Sequence, residues 1–600
     1  MSAAENDEHD GDMSMYAAAH DLEPQEAKLI AELREVVFDG QYEQVHQRVR
    51  DVITSLRLTD NSELSRAERA RKGYDQLRAV VAELGPSSDI AADLPTLFAL
   101  FDWSATAATD LCPALSGHFT LSVGAIQKLG TGTALQREYL RLLDDASHVG
   151  VFLLTELGYG SNVPEMETEA VWDDSEKCFL LSTPRGAACK FMPNVAANVP
   201  RVTVVAARLK VHGQDEGVFP FIVPLRTEAG LISGAEVVPL PITGGPPMDN
   251  AMIRFDGVRL PYDAWLSGGK ARIAADGTFS CEIVNRRSRF HHAIEQLQAG
   301  RIAVSSAAVA AARAGLWIAV RYAEQRRTFG GPMMIERDNV SRDLVSCAAR
   351  IYAATAMGNM VRRSFASEST PSQDNTLLAM LAKPLLSSTA LTVLQACRER
   401  CGTQGLFLVN RFPDYLGITQ GAITAEGENQ VMRVAAGRML KAYEVHAPAR
   451  YTPTLVQEWW NTLLNARENA LREGTSDISA AGPGSRAMNL ADATAARLAA
   501  DALRAQAESA ASGAREILSA LATIYTLEHI RANATWFVSH GHLTAERAAE
   551  LETTLAEQYQ ATAEHLPALV AAFAIPREAI GSPIASDDYI GAWLDFAGWQ

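Results

Sequence analysis

The apolar positions divide the chain into stretches of different period. In EAKLIAELREVVF, Leu29, Ile30, Leu33, Val36 and Val37 recur at helical spacing and fall on one face. A second periodic stretch, RKGYDQLRAVVAELG, runs into Gly85-Pro86, a pair that stops a helix. Asp93-Leu94-Pro95 restarts one, because proline fits a first turn whose N–H groups lack helical partners anyway. Residues 26–147 are therefore predicted to be helical. Near His148 the period shortens. VTVVAARL, VFPFIVPL and AMIRF are short runs rich in Val, Ile and Phe, and GGPPMDN and DGVRLPYDAW between them read as turns. This texture predicts a small β-barrel or sandwich over 148–285.

After Arg286 helical spacing returns. GRIAVSSAAVAAARAGLWIAVRYAEQRR is long, Ala-rich and free of proline, and its small residues let neighbouring helices approach closely. Helix is predicted through 447. PARYTP, within 448–453, reads as a linker, and 454–600 is helical again around LADATAARLAADALRAQAES. The predicted fold class is multidomain α+β: an N-terminal helical domain, a central β-barrel or sandwich domain, a helical bundle and an extra C-terminal helical domain. Residues 1–25 are polar and acidic and are expected to be flexible.

Composition narrows the function. Of 600 residues, 48% are hydrophobic and 21% charged, enough for several cores. The net charge of -17 argues against a nucleic-acid surface, which needs clustered Lys and Arg. The seven cysteines contain no CxxC pair, so neither a disulfide scaffold nor a metal site is expected. Cys397 and Cys401, one helical turn apart, read as small core residues. The N-terminus lacks the basic start and apolar stretch of a signal peptide. No apolar run approaches the roughly 20 residues of a membrane helix, and FAGWQ is not a peroxisomal tripeptide of the SKL kind. A cytoplasmic protein without a membrane partner is the expectation.

Three segments have chemistry in them. FLLTELGYGSNVPEMETEA follows an apolar run with Gly158, Gly160 and Ser161, whose backbone and hydroxyl suit a phosphate or flavin edge. A strand-to-turn corner explains it equally. RRTFGG places Arg326 and Arg327 at the end of the long helix, where they can pair with a pyrophosphate or with the helix dipole. RERCGTQGLFLVNRFPDYLGITQGAITAEGENQVM leads from Gly402 and Gly405 through an irregular loop to Glu426-Gly427. A carboxylate pointed into a dry cleft there becomes a stronger base near neutral pH, although a glutamate at a helix start also satisfies the dipole.

Taken together and in order, these segments resemble one family. TELGYGSN is similar to the TE-x-G-x-G-[ST] segment of acyl-CoA oxidases and, more distantly, acyl-CoA dehydrogenases. RRTFG resembles their Arg-x-x-Phe-Gly segment, RERCGTQG their REACGGHG run, and AEGEN their aromatic-Glu-Gly-[DE]-Asn run. The resemblance spans nearly the whole chain, and the extra C-terminal helices favour the oxidase branch.

This resemblance implies FAD as cofactor and α,β-dehydrogenation of an acyl thioester. Glu426 would take the Cα proton while a hydride leaves Cβ for the flavin, and the Glu426 amide would hydrogen-bond the thioester carbonyl. It implies cofactor contacts from Thr155, Gly160, Ser161 and Phe191. It implies further contacts from Arg326, Thr328, Phe329, Glu399, Gly402 and Thr403 of a neighbouring subunit, hence at least a homodimer. Arg301 matches an arginine near the CoA portion of the substrate. O2 is the expected electron acceptor, giving H2O2.

Alternatives remain: a dehydrogenase with an electron-transfer partner, an acyl-carrier-protein substrate, a flavin monooxygenase, or a non-catalytic nucleic-acid-associated member of the fold. The chain also departs from the family. Ala425 stands where an aromatic usually precedes the base, which predicts room for a bulkier or branched acyl group. Thr403 and Gln404 replace a glycine and a common histidine.

Overall fold

The computed structural model describes residues 24–56, 64–368, 372–454, 458–474 and 482–599. The flexible N-terminus expected over 1–25 falls, up to residue 23, outside the described residues. Helix Pro24–Val37 buries Ile30, Leu33 and Val37 from its apolar face. Helix Arg66–Leu84 opens on a reciprocal cap between Ser65 and Glu68 and ends at Gly85, and such a cap contributes roughly 1 kcal/mol. Helix Leu94–Ala107 starts at the predicted proline turn and is buried over nearly its whole length.

The β region builds a seven-stranded sheet around the antiparallel pair Arg201–Val211 and Gln214–Thr227. Strand Val149–Leu153 joins it in parallel, Val149 opposite Arg201 and Leu153 opposite Val205. A three-stranded sheet contains Lys190–Asn194, Ala235–Pro239 and Asn250–Phe255, and the two sheets share one hydrophobic core. One predicted turn is wrong in part. Within DGVRLPYDAW, Val258–Pro261 is a strand paired with Cys178–Ser182, because Val258 and Leu260 alternate into the core while Arg259 faces out.

The helices on both sides of the sheets do not form separate cores. Residues of 30–119, 302–464 and 490–585 belong to a single apolar cluster. The C-terminal helix Pro483–Ser509 meets Asn429–Leu440 so closely that a Cβ on Gly437 would lie 1.8 Å from the Ala487 carbonyl oxygen. PARYTP is anchored as well: Tyr451 is buried, and its hydroxyl donates to Asp39 Oδ2 at 3.0 Å.

Two sequence expectations need correction. Helices Leu297–Gln325 and Gln373–Arg400 are long and apolar enough to cross a membrane by length and composition. Their most apolar windows are 94% and 72% buried inside the protein, so their hydropathy reflects a bundle interior. The stretch ahead of Glu426 is not one irregular loop. Phe412–Thr424 is a helix, and its loop-like Gly417 and Gly421 sit where Gly245 and Pro246 of the β region press against it.

Candidate active site

Glu426 lies in the turn between helices Phe412–Thr424 and Asn429–Leu440. Its φ is +56°, followed by +102° at Gly427. A non-glycine residue in the left-handed region is uncommon and persists only where its surroundings enforce it. Two cations bond the backbone of this turn. Arg301 Nε donates to the Glu426 carbonyl oxygen at 2.8 Å. Lys383 Nζ donates to the Gly427 and Ile423 carbonyl oxygens at 2.6 and 2.8 Å, and to Asn429 Oδ1 at 2.9 Å. The Glu426 amide makes no hydrogen bond to any described residue.

The Glu426 carboxylate is asymmetric. Oε1 accepts a short hydrogen bond from the Ser116 hydroxyl, and Oε2 is buried without a hydrogen-bond partner among the described residues. Burial pushes the carboxyl above its ordinary range, against the opposing effects of Ser116, Arg301 and Lys383. Gly300 makes room for it: a Cβ there would lie 2.8 Å from Glu426 Cδ and Oε1. An unpaired, partly desolvated carboxylate oxygen on an enforced turn is equipped to take a proton.

The π-helical segment Ser116–Val123 connects this base to the sheet. His118 from the same segment accepts from the Gly150 amide through Nδ1 at 3.0 Å, which leaves Nε2 to carry the proton and donate to Ser87 Oγ at 2.9 Å. Gly150 lies on strand Val149–Leu153, and a side chain there would collide with Ser122 at 2.7 Å. That strand delivers the Thr155 loop.

Around the loop, the Phe191 amide donates to the Thr155 carbonyl at 3.0 Å, so two expected cofactor residues adjoin. Phe191 is half-buried on strand Lys190–Asn194. Gly160 and Ser161 are exposed, with open space where a Gly160 Cβ would stand. Glu156 is structural: buried, it accepts from the Glu167 and Thr168 amides at 2.8 and 2.9 Å and from Lys190 Nζ at 3.1 Å.

Other expected residues sit apart. Arg326–Phe329 forms a tight hairpin in which Thr328 Oγ1 donates to the Pro332 carbonyl at 2.7 Å, and Arg337 clasps Thr328 and Phe329. Phe329 is 98% exposed. Glu399, Gly402 and Thr403 are exposed too. Among the described residues, no hydrogen bond joins either group to Thr155–Ser161. Ala425 is exposed beside the base. Arg301 bonds the base turn through Nε alone, and a guanidinium has further N–H donors on its two Nη atoms.

Sequence reasoning missed Ser116, Gly300, Lys383 and Asn429. Lys383 left one signal, a lone charge inside the apolar run LAMLAKPLLSS. Ser116 left none, because it reaches Glu426 across 310 residues of chain.

Comparison of the chain with known proteins finds similarity to one family. The family model described as "Acyl-CoA oxidase, C-alpha1 domain" matches residues 295–441, and that described as "Acyl-CoA oxidase" matches 453–588. The Arabidopsis thaliana protein named "Putative acyl-coenzyme A oxidase 3.2, peroxisomal" is 26% identical over 571 residues, covering 87% of this chain and 82% of that one. Against other curated relatives the chain spans about half of their length. The crystal structure of acyl-CoA oxidase 1 from Yarrowia lipolytica superposes with a TM-score of 0.80 at 20% identity, over 95% of this chain and 94% of that one. Acyl-CoA oxidase-2 of Caenorhabditis elegans, solved with FAD, ascaroside-CoA and ATP, superposes with a TM-score of 0.78 at 16% identity, over 96% and 93% of the two chains. Several relatives are peroxisomal by name, so the cytoplasmic expectation draws no support from them.

Proposed function

The chain belongs to the acyl-CoA oxidase family, and from that premise we propose that it oxidises an acyl-CoA thioester to the 2,3-enoyl thioester with Glu426 as the base. The carrying observation is the Glu426 carboxylate, buried, half unpaired and held on a left-handed turn, within the AEGEN run that resembles the family's base motif. Burial raises its proton affinity toward that of a base useful near neutral pH. As the proton leaves, negative charge develops on the thioester oxygen, and the unpaired Glu426 amide is the donor that would meet it.

The residues present fit FAD in two halves. Thr155, Phe191, Gly160 and Ser161 form a ledge with an open glycine position and an exposed hydroxyl. Arg326, Thr328, Phe329, Glu399, Gly402 and Thr403 present a cation, the Thr403 hydroxyl and a bare aromatic ring that this chain leaves uncovered. A homodimer in which each subunit offers the second group to the other's ledge unites them. When bound, FAD supplies the acceptor for the Cβ hydride and the route for the electron pair to O2, which becomes H2O2. Ala425, small and exposed, leaves space beside the base for a bulky or branched acyl group.

The test is the visible spectrum of the FAD-loaded protein, recorded anaerobically with a panel of straight and branched acyl-CoA thioesters and then with air admitted. Bleaching by a thioester, followed by H2O2 on aeration, is the expected result. Bleaching without H2O2 would transfer the reading to a dehydrogenase with an electron-transfer partner. A flavin that no thioester reduces would overturn it.

A further inference from the structure

Lys383 has no part in the reaction just described, yet it is the most completely buried charge beside the base. Its ammonium has three N–H groups, and three oxygens stand within 2.9 Å. One is the Ile423 carbonyl, in a last helical turn that lacks intrahelical donors. The second is the carbonyl of Gly427, the residue after the base. The third is Asn429, the first residue of the next helix, itself donating to Ser387 Oγ at 3.0 Å. Lys383 therefore ties both ends of the turn that carries Glu426, while Arg301 holds its middle.

We propose that Lys383 is a positioning residue that locks the Glu426 turn in its left-handed conformation and so keeps one carboxylate oxygen of the base free for the substrate; the proposal rests on Glu426 being that base. The lysine hydrogen-bonds the turn's carbonyls and Asn429 rather than the carboxylate, whose partner is Ser116. A lysine that bonded Oε2 would hold the base as an ion pair and occupy the oxygen the reaction needs. The charged groups facing Lys383 are Arg301 from Leu297–Gln325 and Glu426 and Glu428 from the turn. Burial pushes its ammonium down to about 7, the two carboxylates acting against that and Arg301 with it. In its charged form the ammonium, like Arg301, acts against the burial that raises the Glu426 carboxyl.

The experiment is anaerobic stopped-flow reduction of the FAD-loaded protein by a saturating acyl-CoA thioester across pH, in wild type, Lys383→Met, Lys383→Arg and Glu426→Gln. In Lys383→Met we expect retained FAD, thioester affinity within about threefold, and a reduction rate lower by roughly 10- to 100-fold, the scale of a small misplacement. Its acid limb moves to higher pH by roughly one unit, because a positive neighbour has gone. Lys383→Arg keeps the wild-type limb at an intermediate rate. Wild-type rate and limb in Lys383→Met would overturn the proposal, as would equal losses of rate and affinity with an unmoved limb. If the Met variant does not fold, the Arg variant decides: a reduced rate on an unmoved limb supports positioning, and a moved limb overturns it. Full activity in Glu426→Gln would sink the base reading itself, a result separate from a normal Lys383→Met beside an inactive Glu426→Gln.

Discussion

Two buried lysines stand near two glutamates in this molecule and treat them in opposite ways. Lys190 and Glu156 have fully buried side chains and bond each other at 3.1 Å. Two backbone amides also donate to the Glu156 carboxylate, so both of its oxygens have partners. Lys383 is equally buried, yet its ammonium goes to Asn429 and two backbone carbonyls, and Oε2 of nearby Glu426 is left without a partner. Donors on both oxygens make a carboxylate a fixed charge that braces a loop. Withholding one donor makes it a base. Proximity of a buried lysine does not distinguish the two cases; the destination of its hydrogens does.

The largest effect should follow from removing the unsaturated carboxylate. Glu426→Gln is expected to lower thioester-dependent flavin reduction by about 10²- to 10⁴-fold, the usual contribution of a general base, with FAD content unchanged. The same variant should gain stability. The folded-state pKa of Glu426 is raised, so its contribution is fully present below the unfolded value and is lost as pH rises through the folded one. The melting advantage of the Gln variant should therefore be absent near pH 4 and grow as pH climbs above it. Thermal scans at several pH values would read this, and an advantage that shrinks with rising pH would contradict the assignment.

Lys190→Met breaks the saturated pair instead. Leaving Glu156 charged and buried without its cation should cost about 3–5 kcal/mol of stability, read by denaturant unfolding. If the Met variant were as stable as wild type, Glu156 would not be the brace described here.

Much of this arrangement was legible in the chain, and the illegible parts have physical causes. The amphipathic N-terminal helices, the change to β texture near His148 and the return to helix were visible because each buries one face. Helix Phe412–Thr424 was hidden because Gly417 and Gly421 look like loop residues, and only the approach of Gly245 and Pro246 explains them. TELGYGSN reads as a cofactor segment in the sequence, but only the fold shows that its glutamate, Glu156, is a brace. Glu426 itself could be named from the family resemblance. Ser116 and Gly300 come from other elements without a local pattern, Ser116 reaching Glu426 across 310 residues, and the lone charge of Lys383 does not say which turn it meets 40 to 46 residues on.

Gly300→Ala sharpens the comparison at the wall behind the base. Its Cβ would press within 2.8 Å of Cδ and Oε1, closer than real Cβ atoms approach, so the carboxylate must shift from its place. A loss of roughly tenfold in reduction rate, with thioester affinity near wild type, is expected from a displacement of that size. An unchanged rate would mean that the carboxylate works from a different position.

Ser116→Ala should have the smallest effect at alkaline pH and a clear one in acid. The hydroxyl donates to Oε1 and favours the ionised form. A hydrogen bond to a charged group contributes about 1.5–3 kcal/mol, and one pKa unit corresponds to about 1.4 kcal/mol. The acid limb of flavin reduction should then move up by roughly one to two pH units, while above the limb the rate stays near wild type because the base is ionised in both proteins. Ser116→Thr, which keeps the hydroxyl, should leave the limb in place. Should Ser116→Ala leave it in place as well, the hydroxyl is not on the carboxylate in the working protein, and the asymmetry that separates Glu426 from Glu156 would have to come from burial alone.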